Sequence, residues 1–107
     1  MIAVYLASAY TVGDVAVNVK VQIDIADKLI SLGYCPIVPL YSHFQHLAHP
    51  RPYEDWIRLD NELVIRSDVL LRIPSESKGA DAEVKLAESK NIPVVYSLQE
   101  LKELNLL

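Results

Sequence analysis

Little in this chain can cross-link it, and few positions free its backbone. Cys35 is the sole cysteine among 107 residues, so no intrachain disulfide can form and a reducing, cytoplasmic setting is expected. Only three glycines occur, so Gly79, placed just after an apolar run and just before a helical pattern, is read as serving a purpose. There is no basic tract and the net charge is −4, which argues against a nucleic-acid polymer as partner but leaves a single nucleotide open. No long hydrophobic run is present. The opening Met1-Ile2-Ala3-Val4-Tyr5-Leu6 lacks a basic n-region and is too short for a bilayer, so it is read as the first strand of a soluble domain with no membrane partner. Internal repeats, low-complexity segments and linkers are also missing, which gives one domain over residues 1–107. A domain of this size gains stability from pairing with another subunit.

What is present is globular in character, with 51% apolar and 22% charged residues. Four short apolar runs read as strands: Ala3 to Ala7, Cys35 to Val38, Val69 to Ile73, and Pro93 to Tyr96. The segments between them are long enough for helices, which predicts an α/β fold with a mostly parallel sheet of four to five strands between helical layers. Between the first two strands, Val15, Val17, Val19, Val21, Ile23 and Ile25 alternate as a strand would, yet Val19, Ile23, Ala26 and Ile30 form a helical stripe. A parallel pair of strands needs a crossover, so a helix is expected, stopped by Gly33. A second helix is expected over Tyr53 to Ser67, with Tyr53, Trp56, Ile57, Leu63 and Val64 on one face. A third runs from about Gly79 to Lys90, with Ala80, Val84 and Ala87 inward. Ser97 and Glu100 form a capping box for a last short helix through Leu104. Pro39 to Pro52, carrying three histidines, reads as a long loop.

Two carboxylates sit where helices should be apolar. Asp60 stands four residues after Trp56 and four before Val64, and Glu83 lies between Ala80 and Ala87. Each could rest at a wet stripe edge or pair with Arg58, Arg66 or Lys90; each could equally face a site. The loop Ser75-Glu76-Ser77-Lys78-Gly79 leads into the third helix, whose first N–H groups and dipole suit an anionic group. Glu83, one turn further on, should be kept ionised by that dipole and so suited to nucleophilic attack. In open α/β sheets ligands bind beyond the carboxyl ends of the strands. There Ser8, Ala9 and Tyr10, the histidine loop and Ser75 to Gly79 collect as walls.

His43, His46 and His49 recur every third residue, but no cysteine or further acid stands near, so a surface or pocket loop is favoured over a metal site. Of these, His43 is kept as a substrate contact. Cys35 reads as a small core residue at the start of a buried strand.

Taken in order, these residues resemble the nucleoside 2-deoxyribosyltransferase-like superfamily, which includes the deoxynucleotide N-hydrolases and small bacterial and phage members. Tyr5-Leu6-Ala7-Ser8-Ala9-Tyr10-Thr11 looks like that family's first strand and its Y-x-x-G-P/S loop. Asp60 precedes Asp68 by eight residues, the interval at which the family places its substrate-binding aspartate. Ser77-Lys78-Gly79 with Glu83 four residues on looks like the hydrolase motif S-x-G-x-x-x-E.

The resemblance implies a flavodoxin- or Rossmann-like three-layer fold and a homo-oligomer. It implies a cofactor-free N-glycosidase or 2′-deoxyribosyltransferase acting on a 2′-deoxynucleoside or its 5′-monophosphate. Glu83 would attack C1′, Tyr5 would orient it, and Asp60 would hold the sugar hydroxyl or handle a proton on the base. Ser77 and the Gly79 backbone would hold a 5′-hydroxyl or 5′-phosphate. The chain departs from the pattern in three places. Ser8-Ala9 replaces the usual glycine with Pro or Ser, no arginine follows in that loop (Lys78 is the nearest substitute), and the C-terminal segment of the larger transferases has no counterpart. The alternative reading is a non-catalytic nucleotide-binding or sensing module using the same pocket, and a purely structural domain is a third.

Overall fold

The computed structural model describes residues 1–107. In chain order the elements are β1 (Ala3–Ala7), α1 (Val15–Leu32), β2 (Cys35–Ile37), a 3₁₀ turn (Pro39–Tyr41), α2 (Ser42–Ala48), α3 (Tyr53–Ile65), β3 (Val69–Arg72), α4 (Lys78–Ser89), β4 (Val94–Val95) and α5 (Leu98–Glu103). The sheet has four strands in the order β2-β1-β3-β4, all parallel. It is a three-layer, flavodoxin-like α/β fold: the parallel sheet is what the apolar runs and their spacing imply, and the flavodoxin-like form is what the resemblance implies.

Strand alternation assigns the two layers. On one face Val4 and Leu6 of β1 and Val69 and Leu71 of β3 pack with Ala26 and Leu29 of α1 and Leu101 of α5. On the other, Tyr5, Ala7 and Leu70 pack with Val64 of α3 and Ala80 and Ala87 of α4. The two alanines, both buried, let α4 lie close to the sheet.

The alternating valines form a helix. Asp14 caps α1, its carboxylate accepting from Val17 N–H at 3.0 Å, and Gly33 ends it at φ 95° with its N–H on Ile30 O. That left-handed turn is where a glycine is required. The buried stripe differs from the expected one: it is Val19, Gln22, Ala26 and Leu29, while Ile30 is 61% exposed. In α3, likewise, Tyr53 and Leu63 face outward, and Trp56, Ile57, Asp60 and Val64 face the interior.

Two further expectations are corrected. The segment Pro39 to Pro52 is not a loop throughout: Ser42–Ala48 is a helix of 7 residues, too short for Phe44, Leu47 and Ala48 to register as a helical period, and none of its residues is buried. Cys35 is exposed, because β2 is an edge strand and Cys35 is its first residue. Before α5, Ser97 Oγ accepts from Glu100 N–H, but the Glu100 carboxylate accepts from Tyr96 N–H (2.6 Å), one residue earlier than a capping box places it. No helix is long and apolar enough to cross a membrane.

Candidate functional site

From β1 the chain turns one way to β2 and then returns to place β3 on β1's other side, so the connections leaving β1 and β3 run to opposite faces of the sheet, to α1 and α4. That switch point is where a crevice opens in folds of this kind. A cavity of about 1080 Å³ lies there, at the upper end of small-molecule sites. Asp60 from α3 and Glu83 from α4 both line it.

Beneath them is Tyr5, wholly buried at the centre of the sheet on the face covered by α3 and α4. Its phenol donates to the Glu83 carboxylate. Burial, joined by the Glu83 and Asp60 charges, holds the phenol above its ordinary range, so Tyr5 remains a neutral donor. Burial likewise pushes Glu83 up to about 7, against the lowering effects of the Tyr5 hydrogen bond and the Arg72 charge. The dipole at the α4 N-terminus does not keep it a fully ionised acid at neutral pH, as the sequence suggested; desolvation prevails. Asp60 is also pushed up to about 7, by burial first and the Glu83 charge second. Only Glu83 has partners that favour its anion. The two carboxyls titrate as a coupled pair near 7, with the anion favoured by Tyr5 and Arg72 on the Glu83 side.

The floor is the α4 entry. Ser77 is the N-cap, its hydroxyl accepting from Ala80 N–H at 3.0 Å. Lys78 and Gly79 are the first two helical residues, and their N–H groups have no acceptor within the chain. All three line the cavity, with Glu76 beside them. Gly79 has no positive φ, and a Cβ there would meet only Ser77 Oγ, at 3.9 Å. Neither the backbone nor the packing requires that glycine.

Ser8 and Tyr10 line the cavity, whereas Ala9 contributes its backbone, its N–H donating to Ser75 Oγ at 3.0 Å. His43 does not line it. It stands behind Tyr10, with Nδ1 2.6 Å from the Tyr10 hydroxyl, and burial raises that phenol. The histidine on the wall is His46, whose Nδ1 accepts from Trp56 Nε1 (3.0 Å) and Arg51 N–H (3.2 Å). Those two donors leave its proton on Nε2. With His43 and His46 turned to different partners, the histidines do not converge, and no cluster of three His, Cys, Asp or Glu side chains could hold a metal.

Sequence reasoning missed four residues here. Gln22 is wholly buried: Nε2 donates to Leu6 O (3.1 Å) and Ser8 Oγ (2.8 Å), and Oε1 accepts from Leu40 N–H. With Gln22 donating to it, the Ser8 hydroxyl keeps its own proton free to donate. Arg51 brings a cation to the wall from the α2–α3 connection, its Nε donating to Asp55 Oδ2 at 2.9 Å. Asn61, beside Asp60, also lines the cavity, and Arg72 is buried behind it. A polar residue on a helix that faces inward (Gln22, Asn61) leaves a gap in the apolar stripe, the same signal that marked Asp60 and Glu83.

The solved structure of the 2-deoxyribosyltransferase from the psychrotolerant bacterium Bacillus psychrosaccharolyticus is similar in fold, with a TM-score of 0.63. The match covers 86% of this chain and 69% of that one at 18% identity. That protein is described as a biocatalyst for synthesis of antiviral and antitumoral nucleosides. No family model matches the sequence, and no curated protein does.

Proposed function

We propose that this protein cleaves the N-glycosidic bond of a 2′-deoxynucleoside or its 5′-monophosphate, as a hydrolase or a deoxyribosyltransferase, with Glu83 as nucleophile. The observation that carries the reading is the hydrogen bond from buried Tyr5 to Glu83 on the cavity that Asp60 also lines. The fold shared with a 2-deoxyribosyltransferase supports it.

In the first step a Glu83 carboxylate oxygen bonds to C1′ as the C1′–N bond breaks, and the electron pair leaves on the base nitrogen. Protonated Asp60 supplies the proton that the departing base needs, or holds the sugar hydroxyl. In the second step water, or the nitrogen of another base, bonds to C1′ and frees Glu83, its proton returning to Asp60. Tyr5 keeps the attacking oxygen in place throughout. The Ser77 hydroxyl and the Lys78 and Gly79 N–H groups take the 5′-hydroxyl or 5′-phosphate, with Lys78 and Arg51 supplying positive charge. Trp56 and Ile57 offer the base an apolar wall. No cofactor enters this chemistry.

A homo-oligomer belongs to the same proposal. Tyr41, Phe44, Leu47 and Leu59 are each more than half exposed around α2 and α3, apolar side chains that a second subunit would cover.

The test is a panel of 2′-deoxynucleosides and 5′-monophosphates, with and without an acceptor base, assayed for free base by chromatography. Release by the native protein and its loss in Glu83→Ala are expected. Thermal stabilisation by a nucleotide with no release of base from any substrate would instead show a non-catalytic binding module.

A further inference from the structure

Arg72, the last residue of β3, is only 6% exposed. A guanidinium keeps its charge inside a protein, so its buried N–H groups must find acceptors. Nη1 donates to Ile73 O (2.5 Å) and Ser75 Oγ (3.1 Å), and Nη2 to Ser75 O (2.7 Å) and Asp81 Oδ1 (3.1 Å). Asp81 is the one carboxylate among these, and its side chain is 67% exposed. Three of the four bonds therefore go to the loop that follows the strand, and only Asp81, itself exposed, offers an opposite charge. A methionine of similar length could fill the space without a buried charge.

Ser75 ties this loop to its neighbour. Its hydroxyl accepts from Arg72 and from Ala9 N–H and donates to Ile73 O, which uses its full capacity. The turns after β1 and β3, the two strands flanking the crevice, are thus joined over Arg72. Arg72 pairs in register with Ala7, on the sheet face that carries Tyr5, yet it does not line the large cavity. It lines a smaller hollow of about 310 Å³ beside α4 instead.

We infer that Arg72 is a positioning residue of the candidate site, holding the Ile73–Ser77 loop so that the Ala9 turn and the α4 N-terminus form one rigid floor. Its charge also favours the Glu83 anion, as the Tyr5 hydrogen bond does, and the Glu83 charge in turn raises Asp60 on α3. The inference rests on the function proposed above and deepens it by adding a residue that acts without touching substrate.

The experiment compares Arg72→Met, Arg72→Lys and Ser75→Ala with the native protein. It follows the backbone amides of Ala9, Lys78 and Gly79 by NMR, the carboxyl titration of Glu83 by ¹³C NMR, and base release. In Arg72→Met the three amides shift, the Glu83 midpoint rises above about 7, and kcat/KM near neutral pH falls roughly tenfold. Arg72→Lys retains the charge and restores the Glu83 midpoint, but its ammonium lacks the fork and the amides still move. Ser75→Ala, at an exposed position, moves the amides and leaves the midpoint unchanged. A folded Arg72 variant with native amides and a native Glu83 midpoint overturns the inference. If neither Arg72 variant folds, native amides in Ser75→Ala overturn it. A native protein that releases no base defeats the proposed function and leaves these spectra to decide on Arg72.

Discussion

The buried phenol of Tyr5 on the central strand donates a hydrogen bond to Glu83, 78 residues later on the covering helix. The bond makes an acid on α4 a fixed part of the sheet's interior. It favours the carboxylate form in a place where burial favours the neutral acid, and several consequences can be measured.

Tyr5→Phe preserves the ring and removes the donor. The Glu83 midpoint should rise from about 7, since the bond lowers it. Ionised Glu83 would then lose a buried partner, so stability at pH 8 should fall by about 1–3 kcal/mol, with a much smaller loss at pH 5. Base release should drop by roughly 10²-fold near neutral pH, within the range for a lost transition-state donor. Thermal melts at both pH values and the ¹³C titration of Glu83 check this.

Folding stability should decline as pH rises from about 4 to about 7. Asp60 and Glu83 both have folded-state midpoints near 7, above their ordinary values of 3.8 and 4.5. Between those values and 7 the folded state binds more protons than the unfolded state, so deprotonation works against the fold. Their contribution is fully present below the ordinary values and is lost as pH passes through about 7. Asp60→Asn should flatten that decline, and Glu83→Gln should lower the Asp60 midpoint by removing a neighbouring negative charge. Urea unfolding across pH 4–9 measures the first effect, and a carboxyl titration the second.

The pH–rate profile should be bell-shaped and narrow, centred near neutrality. Productive enzyme has Glu83 ionised and Asp60 protonated, and two coupled acids that both titrate near 7 give limbs lying close together. Asp60→Asn should remove the alkaline limb. A rate that rises monotonically to pH 9 would be inconsistent with Asp60 as proton donor.

Gly79→Ala should separate fold from function. The position is helical, lacks a positive φ, and has room for a methyl group, so the substitution should stabilise the protein by about 0.4–1 kcal/mol. If the glycine serves close approach of a sugar or phosphate, nucleotide binding should weaken at the same time. Denaturant melts and calorimetric titration with a 2′-deoxynucleoside 5′-monophosphate provide the comparison.

Gln22→Leu should cost about 2 kcal/mol or more, because it leaves Leu6 O and Leu40 N–H buried without their side-chain partner. It also releases the Ser8 hydroxyl on the cavity wall. Gln22→Glu, which retains an acceptor for Leu40 N–H but loses the donor to Leu6 O and Ser8, should be comparably unstable when ionised. Urea midpoints for the two variants decide the matter.

Much of the architecture follows from local pattern. Runs such as Val69-Leu70-Leu71 cannot sit at a surface, and their spacing leaves room for crossovers, so a parallel α/β sheet emerges from hydrophobic burial alone. Asp60 and Glu83 were visible for a complementary reason, as carboxylates placed in stripes that are otherwise apolar. Gln22 interrupts the Val19, Ala26 and Leu29 stripe in the same way, but only docking chose that stripe, and Arg72 at a strand end looks solvent-facing until its loop partners are known. For α1 the chain supplied two apolar stripes, and only docking against the sheet chose Leu29 over Ile30 as buried. The exposed two-turn helix α2 is too short for Phe44, Leu47 and Ala48 to show a helical period. Periodicity records which face of an element avoids water; which charge or amide that face encloses depends on contacts between residues far apart in sequence, and those exist only once the layers have packed.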